Sequence, residues 1–157
     1  MHKFKDYYQN AVTLSFADEP FSRDPKHVWV ICRHRGKWLL TAHKERGLEF
    51  PGGKVEEGEN AKAAAIREVM EETGGEIDKI QYIGQYKVDG KSAMIIKNVY
   101  YAEIAKLLPQ ETYYETDGPV IMEELPKNIR HNAEYSFIMK DKVLTHCLNK
   151  IENEIHQ

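Results

Sequence analysis

Cysteine is nearly absent from this chain: Cys32 and Cys147 are its only two. Neither has a second cysteine near it in sequence, which excludes a disulfide framework or a Cys-paired metal centre as the organising principle. Both are read as reduced core thiols, one in a strand-like run and one in a helix-like tail. The amino terminus lacks a long apolar run. Met1 to Asn10 mixes Lys3, Lys5 and Asp6 with aromatics, unlike a signal peptide or a membrane span, so a cytoplasmic protein with no membrane partner is expected. A surplus of positive charge is lacking too. Lys and Arg number 22 against 25 Asp and Glu, a net charge of −3, which argues against a nucleic-acid duplex held by a broad basic surface. A small anionic substrate remains compatible if a metal supplies positive charge. Repeats, low-complexity tracts and long linkers are also missing.

What is present suits one folded unit. The 157 residues are 41% apolar and 30% charged, enough to bury a single core spanning 1–157. Val12, Leu14 and Phe16 alternate with Thr13 and Ser15 as a half-buried strand does. His27 to Arg33 and Lys37 to Ala42 form a hairpin about Arg35 and Gly36. Glu49 to Gly58, rich in Gly and charge, is a loop. Asn60 is suited to cap a helix over Ala61 to Thr73, which Gly74 and Gly75 end. Ile80, Tyr82, Tyr86 and Val88 mark another strand and Met94 to Ile104 its successor, with Gly90 in the turn between. Pro109 to Pro119 connects to a short strand, Val120 to Glu123, and Tyr135 to Ile155 carries helical spacing. Mostly strands, with one helix in the middle and one at the end, predict an α+β fold with a helix on each side of a sheet.

At 100° per residue, Glu68, Glu71 and Glu72 share one 100° arc of the middle helix. Ile66, Val69, Met70 and Thr73 cluster on the other side, giving one acidic face and one apolar face. Three carboxylates at i, i+3 and i+4 repel one another unless a cation joins them. Mg²⁺, with its demand for oxygen ligands, is the natural candidate, and Mn²⁺ can substitute. The alternative is a solvated helix face.

The loop before the helix decides between them. Gly53, five residues, Glu59, seven residues and Arg67-Glu68-Val69-Met70-Glu71-Glu72-Thr73-Gly74 resemble the Nudix box at all seven of its fixed residues. The last position, usually aliphatic, is Gly75 here. The resemblance implies the Nudix fold, an α/β/α sandwich with a mixed central β-sheet and a loop-helix-loop. In physical terms, Gly52 and Gly53 remove side chains where backbone carbonyls must approach a metal or phosphate, so Gly53 joins Glu68, Glu71 and Glu72 as a metal ligand. Glu59 and Arg67 are expected to form an ion pair fixing loop to helix. A metal-activated water, with a carboxylate taking its proton, would attack phosphorus.

The resemblance further implies attack on the β-phosphorus of a nucleoside triphosphate, giving monophosphate and pyrophosphate. In MutT-type members it also implies an acidic residue on a later loop as base or metal ligand. Glu115 is the matching position, Glu111 its rival, and a solvated loop glutamate the alternative. Leu48-Glu49-Phe50-Pro51-Gly52-Gly53-Lys54 looks like the same stretch of the 8-oxo-dGTP-cleaving MutT proteins, and Lys54 could touch a phosphate. Nearly the whole chain is similar to nucleoside triphosphatases of bacilli within that family. The marks of ADP-ribose and dinucleoside polyphosphate hydrolases do not fit: no proline lies between Pro51 and Pro109, and Gly90 to Ala93 has no tyrosine. By the same resemblance Asn132 or Asn128 could read a purine, the alternative being a helix cap or loop amide. Trp29, Trp38, Tyr82 and Tyr101 read as core rather than as a ligand stack. The implied activity is nucleotide-pool sanitation, removing purine and oxidised purine triphosphates such as 8-oxo-dGTP without a stable protein partner. The alternatives are removal of pyrophosphate from RNA 5′ ends and an inactive nucleotide-binding module.

Overall fold

The computed structural model describes residues 1–154. Nine strands form one sheet: β1 (His2–Lys5), β2 (Ala11–Ser15), β3 (His27–His34), β4 (Lys37–His43), β5 (Gly47–Glu49), β6 (Gly52–Lys54), β7 (Gly75–Asp89), β8 (Met94–Leu107) and β9 (Thr116–Met122). The path runs β1-β2-β7-β8-β3-β4-β5, with β6 paired to β3 and β9 to β4. Every strand pairing within it is antiparallel except β3 with β8, so the sheet is mixed.

Two helices cover it, α1 (Ala61–Thr73) and α2 (Lys142–Glu154). The central strand β3 shows how. Val28, Val30 and Cys32 point into a cluster with Ala64, Ala65 and Val69 of α1, while Trp29 and Ile31 point into the opposite cluster with Val143, Cys147 and Ile151 of α2. All five are buried, which is why β3 reads as a continuous apolar run rather than an alternation. Each aliphatic side chain so buried contributes about 1.5–3 kcal/mol. Cys32 and Cys147 are both buried and free, in opposite layers. Among the described residues no helix is long and apolar enough to cross a membrane.

Several boundaries depart from expectation. Glu49 to Gly58 is not all loop: β5 and β6 lie in and beside it, because Gly52 and Gly53 bring bare backbone onto the edge of β3. The last strand starts at Thr116 and ends at Met122, taking in Pro119 opposite Thr41. The C-terminal segment is two pieces, a single 3-10 turn at Phe137–Met139 and then α2, because Ser136 Oγ accepts from Ile138 N and Asp141 Oδ1 starts a fresh helix by accepting from Val143 N. Ile155, the expected end of that helix, lies outside the described residues. The edge strand β1 was not expected, since His-Lys-Phe-Lys carries a single apolar residue.

The helix α1 keeps its expected ends. Asn60 Oδ1 accepts from Ala63 N at 2.8 Å, and Gly74, left-handed at φ 73°, donates its N–H to Met70 O. Its faces are another matter. Ala64, Ala65, Val69, Thr73 and Glu72 are buried, whereas Ile66 is 43% exposed. The inward face therefore includes part of the acidic arc. Ala64 on that arc and Ala65 at its border let the helix lie close to the sheet, and Glu72 is drawn in with them.

Candidate active site

The capped helix is held at both ends, so its carboxylates have fixed origins. At its last turn the Glu72 carbonyl accepts from Thr41 Oγ1 on β4 at 3.0 Å and from Thr116 Oγ1 on β9 at 3.2 Å. At its outer side Glu56, Glu59 and Lys54 wrap around Arg67. Arg67 Nε and Nη2 grip the two oxygens of Glu59 at 2.8 and 2.9 Å, and Nη2 also reaches the Lys54 carbonyl at 2.9 Å. Nη1 turns the other way, to Glu68 at 2.7 Å and Glu71 at 3.0 Å. One guanidinium thus ties the loop to the helix with two nitrogens and balances the acidic arc with the third. The Arg67 hydrogen bond, helped by the Glu56 backbone, holds the Glu59 carboxyl down at about 2.

Glu72 lies beneath. Its Oε2 accepts from Gly52 N at 3.2 Å and it shares a hydrogen bond with Glu68, so burial first and that neighbour second push its carboxyl well above the ordinary range. Burial also raises Glu68, opposed by its bonds to Glu72 and Arg67. Two adjacent carboxyl groups in a low-dielectric setting need a shared proton or a cation between them. Gly53 closes the arrangement: a Cβ there would stand 2.6 Å from Glu68 Cδ and 2.7 Å from each of its oxygens.

Beside them opens a cleft of about 730 Å³, which Glu72 and Glu59 do not themselves line. Gly53, Lys54, Glu68 and Glu71 line it, and Glu115 reaches it from the connection before β9. That connection is docked on α1 by Tyr114 N donating to the Glu71 carbonyl at 3.2 Å, and Glu115 itself is left-handed at φ 61°. Glu111 is not among the lining residues. Neither is Asn132, whose Oδ1 accepts from Glu134 N at 2.9 Å in a loop turn. Asn128 heads a single 3-10 turn without a side-chain cap bond and also stays outside the cleft. Trp29 is core and cleft wall at once, buried in its cluster while bordering the opening.

Beside the expected Lys54, the cleft also holds His27, Lys97 and Arg46, which sequence reasoning did not find. Strand register places Lys54, His27 and Lys97 side by side across β6, β3 and β8, and all three line the opening. Burial, then the two lysines, lower the His27 imidazole, and burial lowers the Lys97 ammonium. Arg46 grips buried Glu49 through two 2.9 Å hydrogen bonds at the other margin. Only the pairing of three separated segments assembles this row of nitrogen-bearing side chains in the same cleft as the carboxylates, so no local spacing announces it.

Comparison with known proteins agrees with this geometry. The NUDIX domain family profile matches residues 21–117. The chain is 60% identical over 152 residues to YtkD of Bacillus subtilis (strain 168), covering 97% of this chain and 96% of that one; the relative carries the provisional name of an 8-oxo-dGTP diphosphatase. It is 54% identical over 52 residues to the 8-oxo-dGTP diphosphatase of Escherichia coli (strain K12), across 30% of this chain and 40% of that one. Among solved structures it is similar to the Bacillus subtilis pyrophosphohydrolase BsRppH, crystallised as an E68A mutant, with a TM-score of 0.98 and 58% identity over 99% of this chain and 98% of that chain.

Proposed function

The chain belongs to the NUDIX family and is a hydrolase acting on pyrophosphate bonds; from that premise we propose that it is a Mg²⁺-dependent pyrophosphohydrolase, converting nucleoside triphosphates to monophosphate and pyrophosphate. Purine and oxidised purine nucleotides such as 8-oxo-dGTP are its expected substrates, and residues 1–157 its single catalytic domain. The observation that carries this reading is one cleft lined both by Glu68 and Glu71 and by the row Lys54, His27 and Lys97.

Nudix hydrolases generally use divalent metals such as Mg²⁺. Among the described residues no three His, Cys, Asp or Glu side chains are gathered tightly enough to hold a metal ion as they stand. In this arrangement Arg67 Nη1 bonds both Glu68 and Glu71, and Glu68 is hydrogen-bonded to Glu72. The donor set nevertheless fits, being all hard oxygen. The Glu59 clamp would survive displacement of Nη1 because it uses Nε and Nη2. Gly53, Glu68, Glu71 and Glu72 would hold the ion. Bound Mg²⁺ neutralises phosphate charge and acidifies a water. Lys54 and Lys97 would take phosphate oxygens, and Glu115, next to the Tyr114 contact with α1, would accept a proton as base or complete the ligand set.

A second reading makes the triphosphate the 5′ end of an RNA. It is favoured by the cleft lining, which among the described residues contains no Asn or Gln, the amides suited to hydrogen-bond the edge of a free purine. An inactive binding module is disfavoured by the intact set Arg67, Glu68, Glu71 and Glu72. The test gives the protein dGTP, 8-oxo-dGTP and 5′-triphosphate RNA with and without Mg²⁺ and identifies the released phosphate. Pyrophosphate released only with the metal supports the proposal, and cleavage indifferent to Mg²⁺, or orthophosphate as the sole product, overturns it.

A further inference from the structure

At one margin of the cleft, aromatic rings continue onto the surface. Phe137, which lines the cleft, has its ring 5.0 Å from that of Tyr8, and Tyr8 lies 5.3 Å from Tyr7 in an edge-to-face pair. The three rings form a ladder leading outward from the cleft. Burial does not explain the outer two: Tyr7 is 38% and Tyr8 59% exposed. Two cations flank the ladder, with Lys140 Nζ 5.3 Å and Arg130 Cζ 5.6 Å from the Tyr7 ring centre. Arg130 Nη1 donates to the Lys140 carbonyl at 3.0 Å, which sets their spacing. Among the described residues neither cation takes part in an ion pair within 4.0 Å. The nearby Asp6 is engaged in its own turn, accepting from Tyr8 N and Asn10 N.

We propose that Tyr7 and Tyr8, with Arg130 and Lys140, form a track for the nucleotides that follow the first ones of a single-stranded 5′-triphosphate RNA. This rests on the second reading of the function. Exposed aromatic faces stack unpaired bases without regard to sequence, and neighbouring cations follow the phosphates. The track is continuous with the cleft through Phe137, so a strand with its triphosphate at α1 meets it next. A duplex would not, since its bases are already stacked on each other. The track also gives a chain of net charge −3 a local way to hold a polyanion. A free nucleoside triphosphate ends inside the cleft and gains nothing from it.

The test compares kcat/KM for GTP and for 5′-triphosphate RNAs of two and eight nucleotides. The wild-type protein should favour the eight-nucleotide RNA over the dinucleotide by about five- to tenfold, mostly through KM, which is the low end of what one stacked base contributes. Tyr8→Ala should abolish that preference while leaving GTP, the dinucleotide and the melting temperature unchanged, and Tyr8→Phe should restore it. Lys140→Ala should weaken the eight-nucleotide RNA and flatten its salt dependence. Equal rates on both RNAs in the wild type would sink the track and leave RNA cleavage standing. A Tyr8→Ala loss shared by all substrates would reduce the tyrosine to a structural role. Cleavage of GTP with neither RNA touched would remove the second reading and the track together.

Discussion

Neighbouring glycines do different jobs. A Cβ on Gly53 meets only the mobile end of Glu68, whereas one on Gly52 meets the Val28 carbonyl and the Trp29 backbone. Gly53→Ala should therefore melt within about 2 °C of wild type yet lose turnover by at least about a hundredfold, because the side chain it displaces carries the chemistry. Gly52→Ala should lower stability by about 1–3 kcal/mol, since the β3 edge itself must move. Paired melting curves and initial rates check both; a Gly53→Ala protein with near-normal turnover would remove Glu68 from its assigned role. Glu72→Gln makes the complementary case. Glutamine can still accept from Gly52 N without placing a second acid beside Glu68, so folding should be preserved or improved while turnover falls by orders of magnitude. The carboxylates were legible in the sequence because they sit in one contiguous run on one helix. His27, Lys97 and Arg46 were not, since their relation to the site is a matter of strand register and loop closure.

Among the elements, α2 carries a pH-dependent liability at its first turn. Asp141 starts the helix by accepting from Val143 N, but burial pushes its carboxyl up to about 6, Asp6 adding to the effect and Lys97 and Arg130 opposing it. The folded protein holds that proton more tightly than the unfolded chain does. Stability consequently falls as pH rises from 3.8 to about 6 and stays lower above that. Asp141→Asn keeps the cap oxygen and removes the charge. It should gain about 2–3 kcal/mol at pH 7.5, shrinking to nothing below pH 4, in urea unfolding followed across pH. A gain independent of pH would point away from the buried charge. The start of α2 was hidden from the sequence because Phe137 and Ile138 extend its apolar period backwards, while the break depends on Ser136 and Asp141 side chains bonding locally. By contrast α1 was readable to the residue, its ends being set by Asn60 and Gly74. What misled was its face: Ile66 and Met70 look like core by hydrophobicity, but the small Ala64 and Ala65 set which side can approach the sheet.

For the molecule as a whole, a cation bound to folded carboxylates alone must stabilise the fold. Mg²⁺ at about 100 times its dissociation constant adds about 2.7 kcal/mol, or roughly 5–10 °C of melting temperature for a chain this size. Chelation should reverse the shift and Glu68→Gln should erase it; a melting temperature unmoved by saturating Mg²⁺ would contradict the proposed ligand set. The sheet's one parallel pairing has a different consequence. His27 of β3 sits beside Lys97 of β8, seventy positions later in the chain. During synthesis at about 5–20 residues per second, β3 emerges several seconds before that neighbour exists. For that interval its Val-Trp-Val-Ile-Cys stretch has β4 and the short β6 as strand partners and lacks β8 along its other edge. Escape from premature association in the cell, rather than final stability, is thus the demand this topology places on the nascent chain.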